Sequence, residues 1–267
     1  MKTKLWLFSK LLKFQLEQGI TLTELLVALV ISGLVLVGAT NGFINILRAN
    51  SGVESKSDRV NGMSRALISI QEDVKGAVAV TRKNATSGGD CNSSAVNSAQ
   101  CLTIYSPITN NLDASDAVIA SCDTPDTVIY YGYQDISSPS SSSVWLKPGI
   151  LRRRVMTKNR SGDTCTYTAG NWTTVADGLI SLNEPNPNPT CPPQSVGLTT
   201  GTPAIFGANA SNLGGFRFCL RADDPSPNNT ADLSADNRLV RVFLYGHVID
   251  SDLPINVDTV TFARSER

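Results

Sequence analysis

The chain has 267 residues, with 23 lysines and arginines balanced by 23 aspartates and glutamates. A formal net charge of zero gives no electrostatic case for nucleic acid, and none is expected as a partner. The single histidine, His247, excludes a paired-imidazole metal site, and no G-x-S-x-G, phosphate-loop or dinucleotide fingerprint is present, so no enzyme activity and no cofactor are expected.

The N-terminal stretch carries Lys2, Lys4, Lys10 and Lys13 against one acid, Glu17, and its apolar run Leu5–Leu12 is too short to span a bilayer. From Gly19 the sequence reads GITLTELLVALVISGLVLV, with Glu24 as the only ionisable side chain. The apolar run continues from Leu25 to about Leu47, interrupted only by small or neutral residues. It is long enough to cross roughly 30 Å of hydrocarbon as a helix and too long for a secretory signal peptide. Lysine bias keeps the first residues cytoplasmic and exports the rest. A carboxylate inside hydrocarbon costs roughly 2.5–3.5 kcal/mol on insertion scales, so Glu24 calls for a partner.

Gly19, then Glu24 at the fifth following position, then a spanning run resembles the class III signal of type IV pilins and type II secretion pseudopilins. Thr21, Leu22, Glu24, Leu25, Leu26 and Val27 follow that family's F-T-L-x-E-L-L-V, whereas Ile20 replaces the usual Phe and Thr23 the usual Ile. The resemblance implies that a prepilin peptidase/methyltransferase cuts after Gly19 and methylates the new N-terminus at Ile20. It further implies that the Ile20 amine meets the Glu24 carboxylate of a neighbouring subunit. Two charges, each costly alone in an apolar core, relieve one another by pairing. The simpler reading keeps Glu24 near the headgroups in the first helical turn, where the macrodipole favours an acid; both hold at different stages.

Past the apolar run, Val53, Val60, Met63, Leu67, Ile70 and Val74 recur at helical spacing, with Glu54, Lys56, Asp58, Arg59, Arg65, Glu72, Asp73 and Lys75 between them. One helix is expected from about Thr21 to Ala79. The domain plan is a leader over 1–19, a transmembrane half-helix over 20–47, an amphipathic half over 48–80 and an extracytoplasmic domain over 81–267. Gly38-Ala39-Thr40-Asn41-Gly42 is a weak stretch of this helix. Local melting and close helix–helix packing are both open readings of it.

Residues 81–100, polar and small, read as a loop. Strand-like runs follow at Leu102–Tyr105, Thr127–Tyr133, Ile150–Met156, Thr173–Leu182, Phe216–Leu220, Leu239–Ile249 and Val257–Phe262. The expected fold is α+β: a pilin-like long N-terminal helix packed on a mainly antiparallel sheet. Arg152-Arg153-Arg154 reads as a solvated guard on an edge strand. The Ser137–Ser143 run reads as a surface loop, and EPNPNPTCPP (184–193) as an extended segment anchored by Cys191.

Cys91, Cys101, Cys122, Cys165, Cys191 and Cys219 all fall in the exported part and point to disulfides. Fifteen full pairings are open; Cys91–Cys101, closing a short polar loop, is the first choice. Asp223, Asp224, Asp232 and Asp236 form an acidic loop that reads as solvated, with calcium the lesser alternative because the spacing is not that of an EF-hand.

Length and the run Ser64–Ala77 resemble the larger minor components of the family, PilW-type minor pilins and J-type pseudopilins, and so does the run Val175–Leu182. The expected function is a minor pilin or pseudopilin of a type IV pilus or type II secretion system, seated in the bacterial inner membrane and then in a pilus or pseudopilus. Its partners would be other pilins or pseudopilins. The alternative is a membrane-anchored adhesin or binding module that never polymerises; a calcium-dependent or hydrolytic domain is a third class.

Overall fold

A computed structural model describes residues 21–84, 96, 100–109, 112, 118–138, 144–182, 184, 189, 191, 203–207, 214–221, 239–247 and 254–263. The chain divides into two compact units, Met1–Glu54 and Ser55–Arg267.

Helix α1 spans Leu22–Lys75. At 1.5 Å per residue it is about 80 Å long. Every described residue up to Glu54 is exposed, including Leu29, Leu34, Leu36 and Phe43. This part of α1 is apolar and long enough to cross a membrane. Its hydroxyls are satisfied internally: Ser32 Oγ donates to the Ala28 carbonyl (2.6 Å) and Thr40 Oγ1 to that of Leu36 (2.7 Å). Neither brings an unpaired polar group into an apolar setting. The helix runs unbroken through Gly38 and Gly42.

In the second unit the helical stripe buries Met63, Ala66, Leu67, Ile70 and Val74. Val53, expected on the same packing face, is exposed, so the stripe becomes a core face only after residue 54. The helix ends at Lys75, four residues earlier than expected. Gly76 closes the last turn on the Glu72 carbonyl (3.1 Å), and Ala77 tightens onto Val74 (3.1 Å).

The sheet contains β1 (Ala79–Asn84), β2 (Gln100–Tyr105), β3 (Thr127–Asp135), β4 (Gly149–Ser161), β5 (Thr164–Ala169), β6 (Thr173–Leu179), β7 (Pro203–Gly207), β8 (Phe216–Arg221), β9 (Leu239–Gly246) and β10 (Ile255–Phe262). The order is β1-β2-β3-β4-β6-β9-β8-β7, with β5 also on β4 and β10 also on β9. All pairings are antiparallel, so the α+β expectation is met. The Arg82 guanidinium of β1 lies 4.0 Å from the Phe206 ring of β7, so the two ends of the strand order approach one another. Helix residues share one core with Val80, Leu102, Ile104, Tyr131, Tyr133, Leu151, Phe216, Phe218, Val242 and Leu244.

Two further expectations are corrected. Residues 81–84, read as loop, belong to β1, because Val80 is fully buried and the segment pairs along β2. β4 is not an edge strand: it lies between β3 and β6 and also carries β5. The arginine triplet is therefore interior to the sheet. Arg152 Nε donates to Gln134 Oε1 (2.7 Å), Arg153 turns to the helix, and Arg154 Nε donates to the Gly170 carbonyl (2.9 Å). β5 and β7 were not anticipated from sequence.

Candidate assembly site at the start of the helix

Thr21 and Glu24 form a reciprocal cap. Thr21 is the N-cap of α1 and Glu24 the third helical residue, the T-x-x-E spacing of a capping box. The Glu24 amide donates to Thr21 Oγ1 (3.3 Å), while the Thr21 amide and hydroxyl both donate to Glu24 Oε2 (3.0 Å each). Two orphan donors of the helix end are thus satisfied, and the acid sits at the positive end of the macrodipole. Sequence reading identified Glu24 but missed the role of Thr21, although the T-L-T-E tetrapeptide carries that signal. Gly19 and Ile20 lie outside the described residues.

A second polar cluster ties helix to sheet. Arg153 of β4 grips Asp73 of α1 through Nε (2.8 Å) and Nη2 (3.0 Å). Tyr131 of β3 donates its hydroxyl to Asp73 Oδ2 (2.5 Å), and Ser69 meets the same hydroxyl at 3.3 Å. Burial, then the nearby Asp73 charge, pushes the Tyr131 phenol well above its ordinary range. The hydrogen bond to Asp73 holds the Arg153 guanidinium firmly protonated against the cost of burial. Lower on the helix, buried Arg59 donates through Nη1 to the Gly178 carbonyl (2.9 Å).

A third cluster anchors the segment between β2 and β3. The Lys158 ammonium, almost wholly buried, lies 2.7 Å from Asp126 Oδ1 and within 3.1 Å of the carbonyls of Thr109, Cys122 and Thr124. Beside it Cys122 is bonded to Cys165, and elsewhere Cys191 to Cys219. Cys101 is itself disulfide-bonded. The expected Cys91–Cys101 pair involves Cys91, which lies outside the described residues. So do Asp223, Asp224, Asp232 and Asp236; among the described residues no cluster of metal-ligating side chains occurs. His247 is half-exposed at the end of β9, with Nδ1 3.3 Å from Glu184 Oε2.

A family model described as the prokaryotic N-terminal methylation motif matches residues 15–40. The matched segment contains Gly19, Ile20, the capping box and the apolar part of α1. No curated protein and no solved structure matches the chain. Motif and apolar helix together support a type IV pilin-like precursor with a single-pass membrane anchor. A motif of this kind implies, in general terms, processing by a prepilin peptidase and assembly with other pilins.

Proposed function

We propose that the chain is a minor pilin or pseudopilin subunit, of the PilW or J type, that acts in the assembly, priming or tip of a type IV pilus or type II secretion pseudopilus. The observation that carries this reading is Glu24, the lone ionisable side chain in a spanning apolar run, placed at the fifth position after Gly19 within the matched motif. The precursor sits in the inner membrane with residues 1–19 cytoplasmic, residues 20–47 in the bilayer and the sheet outside the cytoplasm. Cleavage after Gly19 frees the Ile20 amine, which pairs with Glu24 of a neighbour and rewards one axial register between subunits. The chain is then a substrate of the peptidase, not an enzyme, and requires no cofactor.

The size of the sheet supports a place where lateral crowding is relaxed. The described residues of the domain form ten strands and at least two disulfides, a large cargo for one helix, and this suits a low-copy position at or near a fibre end.

N-terminal sequencing of the membrane-extracted protein tests the reading. Ile20 as first residue, methylated, is the expected result. Met1 as first residue, with Glu24 dispensable, would instead establish a tethered adhesin or binding module.

A further inference from the structure

Large apolar side chains exposed on the second unit mostly stand apart from one another along the chain, as Ile68, Leu112 and Val118 do. Val144, Trp145 and Leu146 are different: three consecutive residues at 91%, 42% and 51% exposure, the only such run among the described residues of that unit. Scattered apolar residues at a surface are ordinary, whereas a contiguous run marks a contact. The backbone beneath this run is fixed. The Leu146 amide donates to Asp177 Oδ2 (3.1 Å), and the Leu146 carbonyl accepts from the Gly178 amide (2.9 Å). The next side chain, exposed Lys147, donates through Nζ to the Ser138 carbonyl (3.0 Å).

Topology sets where the run lies. Tyr131 and Arg153 face one another across β3 and β4, and both bond Asp73 near the C-terminal end of α1. Further along the same ladder Asp135 pairs with Gly149, and Gly149 with Leu179. Next to Leu179, the Gly178 carbonyl takes its bond from Arg59. The β3–β4 ladder thus runs along the helix from Asp73 towards Arg59, and the apolar run follows at that end, beside the first helix residue that is buried. Arg59 comes about three helical turns after Leu47, the end of the apolar stretch, or roughly 18 Å along the axis. The headgroup layer occupies about 5–7 Å of this. Chain length therefore holds this end of the domain within about 10 Å of the headgroups. Trp145 and Val144 add up to about 7 Å of chain beyond Leu146 before their side chains are counted, and an ordinary helix tilt of about 20° shortens the gap.

We propose that Val144-Trp145-Leu146 is an interfacial anchor, which dips into the headgroup–acyl boundary of the leaflet that α1 leaves and gives the sheet domain a second point of attachment to the membrane. This rests on the reading above that residues 20–47 lie in the bilayer with the sheet outside the cytoplasm. Composition and place select lipid as the occupant. Tryptophan is the residue of the aromatic belt, where one side of the ring meets hydrocarbon and the other meets water. Val144 and Leu146 supply aliphatic surface, and Lys147 beside them suits anionic headgroups. The bilayer is also the one apolar phase that the chain's own anchor keeps within reach of this tip.

The test uses the full chain carrying Trp6→Phe, in vesicles of phosphatidylethanolamine and phosphatidylglycerol brominated either near the headgroups or near the bilayer centre. Trp145 and Trp172 remain as fluorophores. A companion chain with Trp145→Phe isolates the signal of Trp172, which packs against the sheet. The expected result is a Trp145 component quenched more by the shallow bromines than by the deep ones. That quenching is lost in Val144→Asp and kept in Val144→Leu, with the unfolding temperature unchanged in both because the side chain is exposed. A chain that floats with the vesicles but leaves Trp145 unquenched, or equally quenched in Val144→Asp, overturns the interfacial anchor and leaves the membrane reading intact. In cells, p-benzoylphenylalanine at Val144 should crosslink to lipid, and a crosslink to another protein instead overturns the proposal. A chain that does not float with the vesicles overturns both readings.

Discussion

Arg153 and Asp73 join sheet to helix through two parallel hydrogen bonds, Nε to Oδ2 at 2.8 Å and Nη2 to Oδ1 at 3.0 Å. The pair is mostly buried, with side-chain exposures of 27% and 15%, and Tyr131 adds a third donor to the same carboxylate. Bidentate, charge-assisted bonds of this kind are the strong ones. Asp73→Ala leaves a guanidinium and a phenol without their shared acceptor and is expected to cost about 2 kcal/mol. Arg153→Met should cost less, since its stem packs in either case. Urea unfolding of the detergent-solubilised chain, read as a double-mutant cycle, checks this; additive effects would show that the two side chains do not couple.

The alternation of β4 was readable, and with it the fact that Arg153 faces away from Arg152 and Arg154. What lay opposite was not, because the partner comes from a helix 80 positions earlier. The long helix and the β-branched strands were legible from local pattern. β1 (AVTRKN) and β7 (PAIFG) were not, since polar or proline-led segments become strands only when β2 and β8 supply ladders for them. Cysteine pairing was likewise a matter of tertiary placement, whereas the Thr21–Glu24 cap was written in four consecutive residues.

Gly178 is the narrow point of the helix contact. Its φ of 65° is left-handed, and a Cβ there would lie 2.4 Å from Arg59 Nη1. Gly178→Ala therefore adds backbone strain and displaces the hydrogen bond from Arg59. A loss of roughly 1–2 kcal/mol is expected, with thermal unfolding as the measurement. Arg59→Ala in the Gly178→Ala background should add little if the two residues act through the same contact.

Acid should loosen the Lys158 cluster. Burial alone raises the Asp126 carboxyl, but hydrogen bonds from Lys158 and Thr109 and the Lys158 charge outweigh it and hold the group below its ordinary value. A carboxyl depressed in the fold contributes stability above its unfolded pKa, near 4, and loses it as pH falls through the lower folded value. The wild type should lose stability progressively below about pH 4. Asp126→Asn should be less stable at neutral pH and flatter through that window. Equal acid slopes for the two proteins would contradict the assignment.

Alkali acts with the opposite sign. Burial raises the phenols of Tyr131, Tyr133, Tyr167 and Tyr245. A phenol raised in the fold contributes stability that is complete below its unfolded pKa, near 10, and fades as pH rises towards the folded value. Ultraviolet titration should show tyrosines that ionise only with unfolding. Tyr133 donates to the Ile180 carbonyl at 2.6 Å, and Tyr133→Phe should remove part of the alkaline slope at a neutral-pH cost of about 1 kcal/mol.

The capping box separates two roles of Glu24. If the carboxylate serves only its own helix, Thr21→Ala and Glu24→Val should behave alike, because each removes two of the three bonds between residues 21 and 24 and both lose the bond between the side chains. Each weakens the cap at the helix start, a minor matter for a long apolar helix held in a bilayer. If the carboxylate also receives a neighbour's amine, the variants diverge. Thr21→Ala keeps the acid and should enter fibres. Glu24→Val removes a charge that is costly in hydrocarbon, so it should insert at least as well as wild type yet fail to assemble. Membrane fractionation and immunodetection in sheared fibres, run on both variants together, read the two quantities. Equal incorporation of Glu24→Val and wild type would sink the intersubunit pair and leave Glu24 as a helix cap alone.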